Sequence, residues 1–242
     1  MQLKKFFLDL FFPKHCIVCE KLGKSLCARC RDSVPIRETD LCPVCERTET
    51  YLGRICGACE IKNKTFFLDG LFVSSHYKHP VLKQAIYSFK YSRLSSLDQP
   101  LSKILGEKLK KYPEIFNDFC LVPVPLHPNK ERSRGFNQSA LLGKNIEKNF
   151  KKEHWKINIE PALLTRVRDN EPQMKMTETK ERKENIKGCF KINNLFLSKL
   201  PEKILLLDDV CTTGSTLNEC AKVFKKKGVK VVWGIVLARQ KT

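Results

Sequence analysis

From residue 66 onward the chain alternates short apolar runs with segments whose apolar residues recur every three or four positions, the pattern of strands interleaved with amphipathic helices. In 80–90 (PVLKQAIYSFK), Val81, Leu82, Ala85, Ile86 and Phe89 share one helical face, and Pro80 suits a first turn. Leu101, Ile104, Leu105 and Leu109 mark a second helix, and 138–150 a third. Buried strands are predicted at 119–124, near 159–166, at 188–193, at 203–207 (KILLL) and at 229–237, with a helix over 215–227 before the last. This alternation predicts an α/β fold, a mostly parallel sheet flanked by helices. The first 60 residues lack it. Their MQLKKFFLDLFFPKHC start predicts one amphipathic turn of helix, stopped by Pro13.

The change of pattern divides the 242 residues into a small unit at 1–62 and a larger one at 66–242. No apolar run approaches the roughly 20 residues of a bilayer span, which excludes an integral helical membrane protein. Asp9 interrupts the signal-like start and no small-residue cleavage site follows, so the expected location is cytoplasmic. Charge separates the units further. The chain carries a formal +19, but residues 1–60 hold 10 basic and 8 acidic side chains, against 35 and 18 in the remainder. A polyanion would therefore meet the larger unit first.

Eight of the 12 cysteines form four Cys-x-x-Cys pairs: Cys16/Cys19, Cys27/Cys30, Cys42/Cys45 and Cys56/Cys59. A two-residue gap lets both sulfurs face one point about 2.3 Å away, and two such knuckles complete a tetrahedral thiolate shell, so two structural zinc (Zn2+) sites are predicted. The intervening lengths of 7, 11 and 10 residues allow sequential pairing of knuckles, and a cross-braced pairing of first with third and second with fourth is also compatible with them. A unit this short could hardly bury a core, so zinc would supply most of its folding energy. Cys120, Cys189, Cys211 and Cys220 lack knuckle spacing and are expected to be buried small side chains.

Residues 204–217, ILLLDDVCTTGSTL, hold the densest chemistry. The strand brings Asp208 and Asp209 to its C-terminal edge, where open α/β sheets bind ligands. The loop amides and the hydroxyls of Thr212, Thr213, Ser215 and Thr216 can surround a phosphate at the start of the next helix, with Gly214 permitting close backbone approach. The two carboxylates would then reach adjacent ribose hydroxyls, directly or through Mg2+. Phosphate at one end and paired hydroxyls at the other describe a phosphoribosyl group. No Gly-x-Gly occurs, and Gly23-Lys24-Ser25 has Val18 where a P-loop needs its first glycine, so the common nucleotide fingerprints are absent.

This segment resembles the phosphoribosyl pyrophosphate (PRPP) motif of type I phosphoribosyltransferases. With the four cysteine pairs, YKHPVLKQAIYSFKY at 77–91, VPVPLHPNKERSRGFNQ at 122–138, LTRVRDNEPQ at 164–173 and RKENIKGCF at 182–190, the chain resembles the ComF family over nearly its full length. Cys211 and Ser215 are the minor departures from the motif. The resemblance implies a double zinc ribbon before a type I phosphoribosyltransferase fold and a link to natural competence. It implies single-stranded DNA and a helicase-like DNA translocase as partners, at the inner face of the membrane. It places a pyrophosphate loop at 124–137, with Lys130, Arg132 and above all Arg134 on the phosphates, and a mobile hood at 166–185 carrying Arg166, Arg168, Gln173, Arg182 and Asn185. Catalytic roles would fall to Asp208, Asp209 and Arg134. Three functions stay open: a transferase with an unidentified acceptor, a DNA-uptake factor binding PRPP as ligand or signal, and a zinc-bearing nucleic-acid adaptor without ligand binding.

Overall fold

The computed structural model describes residues 14–62, 65–116, 118–169 and 185–240. The N-terminal amphipathic turn and most of the hood, including Gln173 and Arg182, lie outside the described residues.

Five strands form one parallel sheet: β1 (Gly70–His76), β2 (Cys120–Pro123), β3 (Asn158–Ile159), β6 (Lys203–Cys211) and β7 (Val231–Arg239), in the order β1-β7-β6-β2-β3. A separate antiparallel pair joins β4 (Leu164–Arg166) to β5 (Phe190–Ile192). The predicted strand at 159–166 is therefore two strands in two sheets. Pro161 has no N–H to give a ladder, and the chain turns there between Ile159 on β2 and Leu164 on β5.

Alternation along β6 dictates how the sheet is covered. Leu205 and Leu207 enter a core with Phe72, Trp233, Ile235 and the helices α3 (Pro80–Tyr91), α4 (Asp98–Leu109) and α7 (Gln138–Lys152). Ile204 and Leu206 point the other way, into a core with Val122, Val232, Val236, helix α8 (Ser215–Lys225) and the β4/β5 pair. Both faces are buried, as the continuous apolar run in a parallel strand requires. Between them, α1 (Ala28–Asp32) and α2 (Gly57–Lys62) belong to the cysteine-rich unit, α5 (Pro113–Phe116) precedes β2, and α6 (Pro128–Arg134) follows it.

The cysteine-rich unit packs directly on the larger one. Leu26, Val34 and Leu52 are buried in the α3/α4 core, and each such side chain contributes about 2 kcal/mol of apolar burial. Lys108 of α4, fully buried, pairs with Asp40 at 2.9 Å and donates to the Arg37 carbonyl at 2.9 Å, while Tyr112 Oη donates to Asp40 at 2.7 Å. At the sheet edge Arg54 bridges to Gly70, and a Cβ on Gly53, at φ +63°, would stand 2.3 Å from the Leu71 carbonyl oxygen. Only glycine fits that approach.

Sheet order also places the site. After β2 the chain moves outward to β3 and then returns to β6 on the other side of β2, so the direction of strand order reverses between β2 and β6. The crevice at the C-terminal ends of these two strands is the switch point where such sheets receive ligands.

Candidate functional site

Asp208 and Asp209 lie within β6 rather than beyond it. The strand continues to Cys211 because β7 keeps pairing, with Asp208 opposite Val236 and Cys211 opposite Arg239. Asp208 is half-buried and Asp209 is buried. Asp208 Oδ1 accepts from Ser139 Oγ at 3.2 Å and from the Asp209 amide at 2.8 Å, and Asp209 Oδ1 accepts from the Val210 amide at 2.6 Å. Burial, then the charge of Asp209, pushes the Asp208 carboxyl up to about 7. Two carboxylates so close disfavour double ionisation.

One cation answers them. Lys90 Nζ, from the C-terminal turn of α3, reaches Asp209 Oδ1 at 2.9 Å. Burial alone would depress this ammonium, but Asp209 and then Asp208 outweigh it and hold it above its usual range. Sequence reasoning passed over both Lys90 and Ser139. A signal for Lys90 was present: it continues the i, i+4 row of Leu82 and Ile86, two fully buried residues, so its side chain had to enter the interior.

The loop after β6 turns through Gly214, at φ 78° in the left-handed region, and α8 begins at Ser215. Thr213 Oγ1 lies 2.7 Å from Ser215 Oγ and accepts from the Ser215 amide at 3.3 Å. Asp208, Val210 and residues 211–217 line a hollow of about 20 Å3, roughly the space of one water. Thr212, Thr213, Gly214, Ser215 and Thr216 are thus gathered around one point beside Asp208. A phosphoryl group there would replace the Thr213–Ser215 contact with its own acceptor oxygens. A larger cavity of about 520 Å3 lies elsewhere, between Arg31 and Val34 of the cysteine-rich unit and Ile104, Ile146 and Phe150 of the helices.

Across the crevice, half of the expected loop at 124–137 is helix α6. His127 Nδ1 accepts from the Asn129 amide at 3.3 Å, Pro128 occupies the first turn, and Gly135 at φ 84° ends the helix. Arg134, in its last turn, contacts Gln138 Oε1 at 3.1 Å, stacks 5.9 Å from the Tyr91 ring centre, and lies near enough to Lys90 to oppose its charge. Lys130 is depressed by burial and next by the neighbouring Arg166 of β4. Arg132 points outward and is exposed, bonded only locally to Asn129. Arg168 is exposed with its carbonyl accepting from Arg166 Nε at 3.3 Å, and Asp169 ties the start of the hood to α6 through His127 at 3.1 Å and Asn129 at 2.8 Å. The structure therefore brings Lys130, Arg134 and Arg166 toward one cationic edge, with Arg168 exposed beside Arg166 and Arg132 turned to solvent.

The cysteines settle their pairing. Cys16, Cys19, Cys27 and Cys30 form one group and Cys42, Cys45, Cys56 and Cys59 another, the sulfurs of each lying within 4.8 Å of one another. Knuckles pair sequentially and the crossed pattern is not formed. Tetrahedral thiolates on a 2.3 Å radius stand about 3.8 Å apart, and Cys19–Cys27 at 3.6 Å and Cys45–Cys56 at 3.9 Å match. Amides aim at the sulfurs, Cys27 N–H to Cys16 at 3.5 Å and Cys56 N–H to Cys42 at 3.3 Å. Amides of Arg47 and Thr48 draw Cys45 down to about 6. Each group fits one zinc ion with no open position. Cys189, Cys211 and Cys220 are buried and Cys120 half-buried, as expected of packing residues.

A family model described as a double zinc ribbon domain matches residues 7–60. Competence protein F of Haemophilus influenzae is 30% identical to this chain, covering 94% of it and 99% of the relative. Competence protein ComFC of Bacillus subtilis is 26% identical, with 86% and 81% covered, and DNA utilization protein YhgH of Escherichia coli is 28% identical, with 92% and 96% covered. Among the described residues no helix is long and apolar enough to cross a membrane.

Proposed function

Since the chain belongs to the ComF family, we propose that it binds PRPP at the β6 crevice and serves natural competence by handling imported single-stranded DNA. The observation that carries the ligand assignment is the junction of Asp208 and Asp209 with the hydroxyl-rich loop at one strand end, faced by Lys130, Arg134 and Arg166. The loop takes the 5′-phosphate, the carboxylates take the ribose hydroxyls, and the cationic edge takes the pyrophosphate.

Magnesium fits this scheme as a companion of the ligand. Asp209 is already paired with Lys90, and Asp208 holds a proton near neutrality, so the ligand-free pair offers a hard cation little. Pyrophosphate oxygens supply what is missing. Mg2+ bound there would neutralise leaving-group charge, which is the chemistry needed if PRPP is also cleaved.

The transferase reading draws on the same pair. Above neutrality Asp208 ionises beside Asp209, and positive charge developing on the sugar would relieve the added repulsion, so the pair would bind an oxocarbenium-like state better than the ground state. The competence setting rests on the names of the relatives, and DNA contact on the excess of 35 basic over 18 acidic residues in 61–242. A helicase-like translocase is the proposed protein partner.

Calorimetric titration with PRPP and Mg2+, beside the Asp208→Asn/Asp209→Asn variant, tests the ligand. Micromolar binding by the natural protein alone is expected, and equal affinity in the variant would remove the ribose assignment. Pyrophosphate release separates transferase from binder. For DNA, log affinity is expected to fall steeply with log salt, and a flat slope would end the uptake role.

A further inference from the structure

One buried guanidinium is used by neither the crevice nor the zinc groups as described so far. Arg239 closes β7 opposite Cys211, its side chain only 6% exposed. Its three nitrogens serve three different acceptors. Nε donates to the Thr212 carbonyl at 3.2 Å, Nη1 donates to the Pro43 carbonyl at 2.8 Å, and Nη2 pairs with Glu46 at 3.0 Å. Thr212 opens the phosphate loop. Pro43 lies between Cys42 and Cys45, and Glu46 follows Cys45, its amide donating to the Cys42 carbonyl at 2.9 Å with φ at 55°. One rigid planar fork thus spans the third cysteine knuckle, Cys42/Cys45, and the loop.

We infer that Arg239 is a positioning residue through which closure of the second cysteine group fixes the geometry of the phosphate loop. The peptide plane supplies the link. In a trans peptide the C=O and the following N–H point opposite ways, so holding the Thr212 oxygen toward the ribbon directs the Thr213 N–H away from it. The neighbouring Cys211 carbonyl is held separately, by the Gln240 amide at 2.9 Å, so β7 grips two successive loop carbonyls. If the Cys42/Cys45 knuckle opens, Nη1 and Nη2 lose acceptors that are part of that knuckle. A buried guanidinium then has to find water or other partners, and its hold on Thr212 goes with it.

The coupling is specific to one of the two groups. The first group meets the larger unit through Gln84 Nε2 donating to the Ile17 carbonyl and through Ser25 Oγ against Ser96 Oγ at 2.6 Å. Neither contact touches the phosphate loop. Opening of the group formed by Cys42, Cys45, Cys56 and Cys59 would therefore reach the phosphate loop through Arg239, whereas the first group, which packs on α3, has no hydrogen-bonded route to that loop among the described residues.

The consequence for ligand affinity rests on the proposed PRPP site, but the loop geometry does not, so the test reads the loop first. Amide hydrogen exchange is measured on the ligand-free, zinc-loaded full chain for peptides covering 208–217. Arg239→Gln and Cys45→Ser are each expected to speed exchange of the 213–216 amides by about tenfold or more, the effect of losing a charge-assisted hydrogen bond. Their combination should add nothing further. Lys111→Gln, which breaks a different ribbon contact, to the exposed Glu38, should leave the loop at natural rates. Glu46→Gln removes the ion pair alone and carries the test if either stronger variant fails to fold. Natural loop rates in Glu46→Gln and Cys45→Ser, or fully additive effects, would overturn the inference. PRPP titration of the same proteins distinguishes the two readings: absence of binding by the natural chain, with the loop responding as expected, removes the ligand assignment and leaves the coupling standing.

Discussion

Asp208→Asn should stabilise the ligand-free protein while abolishing PRPP binding. The stabilisation follows from the repulsion that pushes this carboxyl up to about 7, first through burial and then through Asp209. Both donors to the side chain, Ser139 Oγ and the Asp209 amide, land on Oδ1. Asparagine keeps that oxygen as a carbonyl, so the substitution removes the charge without orphaning a partner. The pH dependence has a definite sign. Between an unfolded pKa near 4 and the folded value near 7, the folded chain holds a proton the unfolded chain has released, so rising pH erodes stability across that window and no further above it. From pH 5.5 to 8.5 the natural protein crosses about 1.5 units of the window, worth about 2 kcal/mol at about 1.4 kcal/mol per unit. Urea unfolding at constant free zinc, at those two pH values, reads the difference directly. The variant should be more stable at both, with its advantage larger at pH 8.5 by about 2 kcal/mol. An advantage independent of pH, or a loss of stability at pH 8.5, would refute the argument that the pair is held in mutual repulsion, and the reading of it as a site kept at a cost in stability would go with it.

The cation opposite that pair should behave in the reverse sense. Lys90→Met leaves Asp209 buried beside Asp208 without its partner, and a loss of about 3 kcal/mol is expected by urea unfolding at pH 8, with partial recovery when Asp209→Asn is added. Lys108→Met should cost a similar amount, about 3 kcal/mol, since Asp40 and the Arg37 carbonyl lose their cation at the ribbon interface. Lys108→Met with Asp40→Leu should recover most of it, and an additive double variant would contradict the buried pair.

Local chemistry was readable wherever residue type and spacing determine geometry by themselves. The four cysteine pairs, the α3 and α4 faces and the hydroxyl-rich loop all stand where their spacing put them, because a knuckle, a helical face and a helix start are each fixed within a few residues. Features fixed by distant partners were not readable. Whether knuckles pair sequentially or cross depends on the path between them. The extent of β6 depends on the register of β7, which carries pairing on to Cys211. Helix α6 replaced a loop because His127 caps a turn that Pro128 starts, a local signal masked by the run of basic residues after it. Ser139 and Arg239 lie 69 and 27 positions from the Asp208 and Thr212 they serve, and no pattern along one chain marks such a meeting. The helical row marks Lys90 as inward-pointing but does not name Asp209, 119 positions away, as its partner.

The packing makes the ribbon part of what builds the crevice. Residues 14–62 have no separate apolar core: Leu26, Val34 and Leu52 belong to the buried cluster that α3, α4 and β1 help to form. The same α3 delivers Lys90 to Asp209, and the Cys42/Cys45 knuckle holds Arg239 on Thr212. Zinc binding therefore orders a surface on which the ligand-bearing elements rest, at a contact too polar to be slippery: a buried Lys–Asp pair, an Arg–Glu pair and several donors to backbone carbonyls fix one register, where an apolar seam would allow many. Charge divides the labour accordingly. With 10 basic against 8 acidic side chains, residues 1–60 have little field with which to draw in a polyanion, while the larger unit has the excess. On this reasoning substitutions in the larger unit should govern how steeply DNA affinity depends on salt, and substitutions in the ribbon should act through the geometry of the crevice.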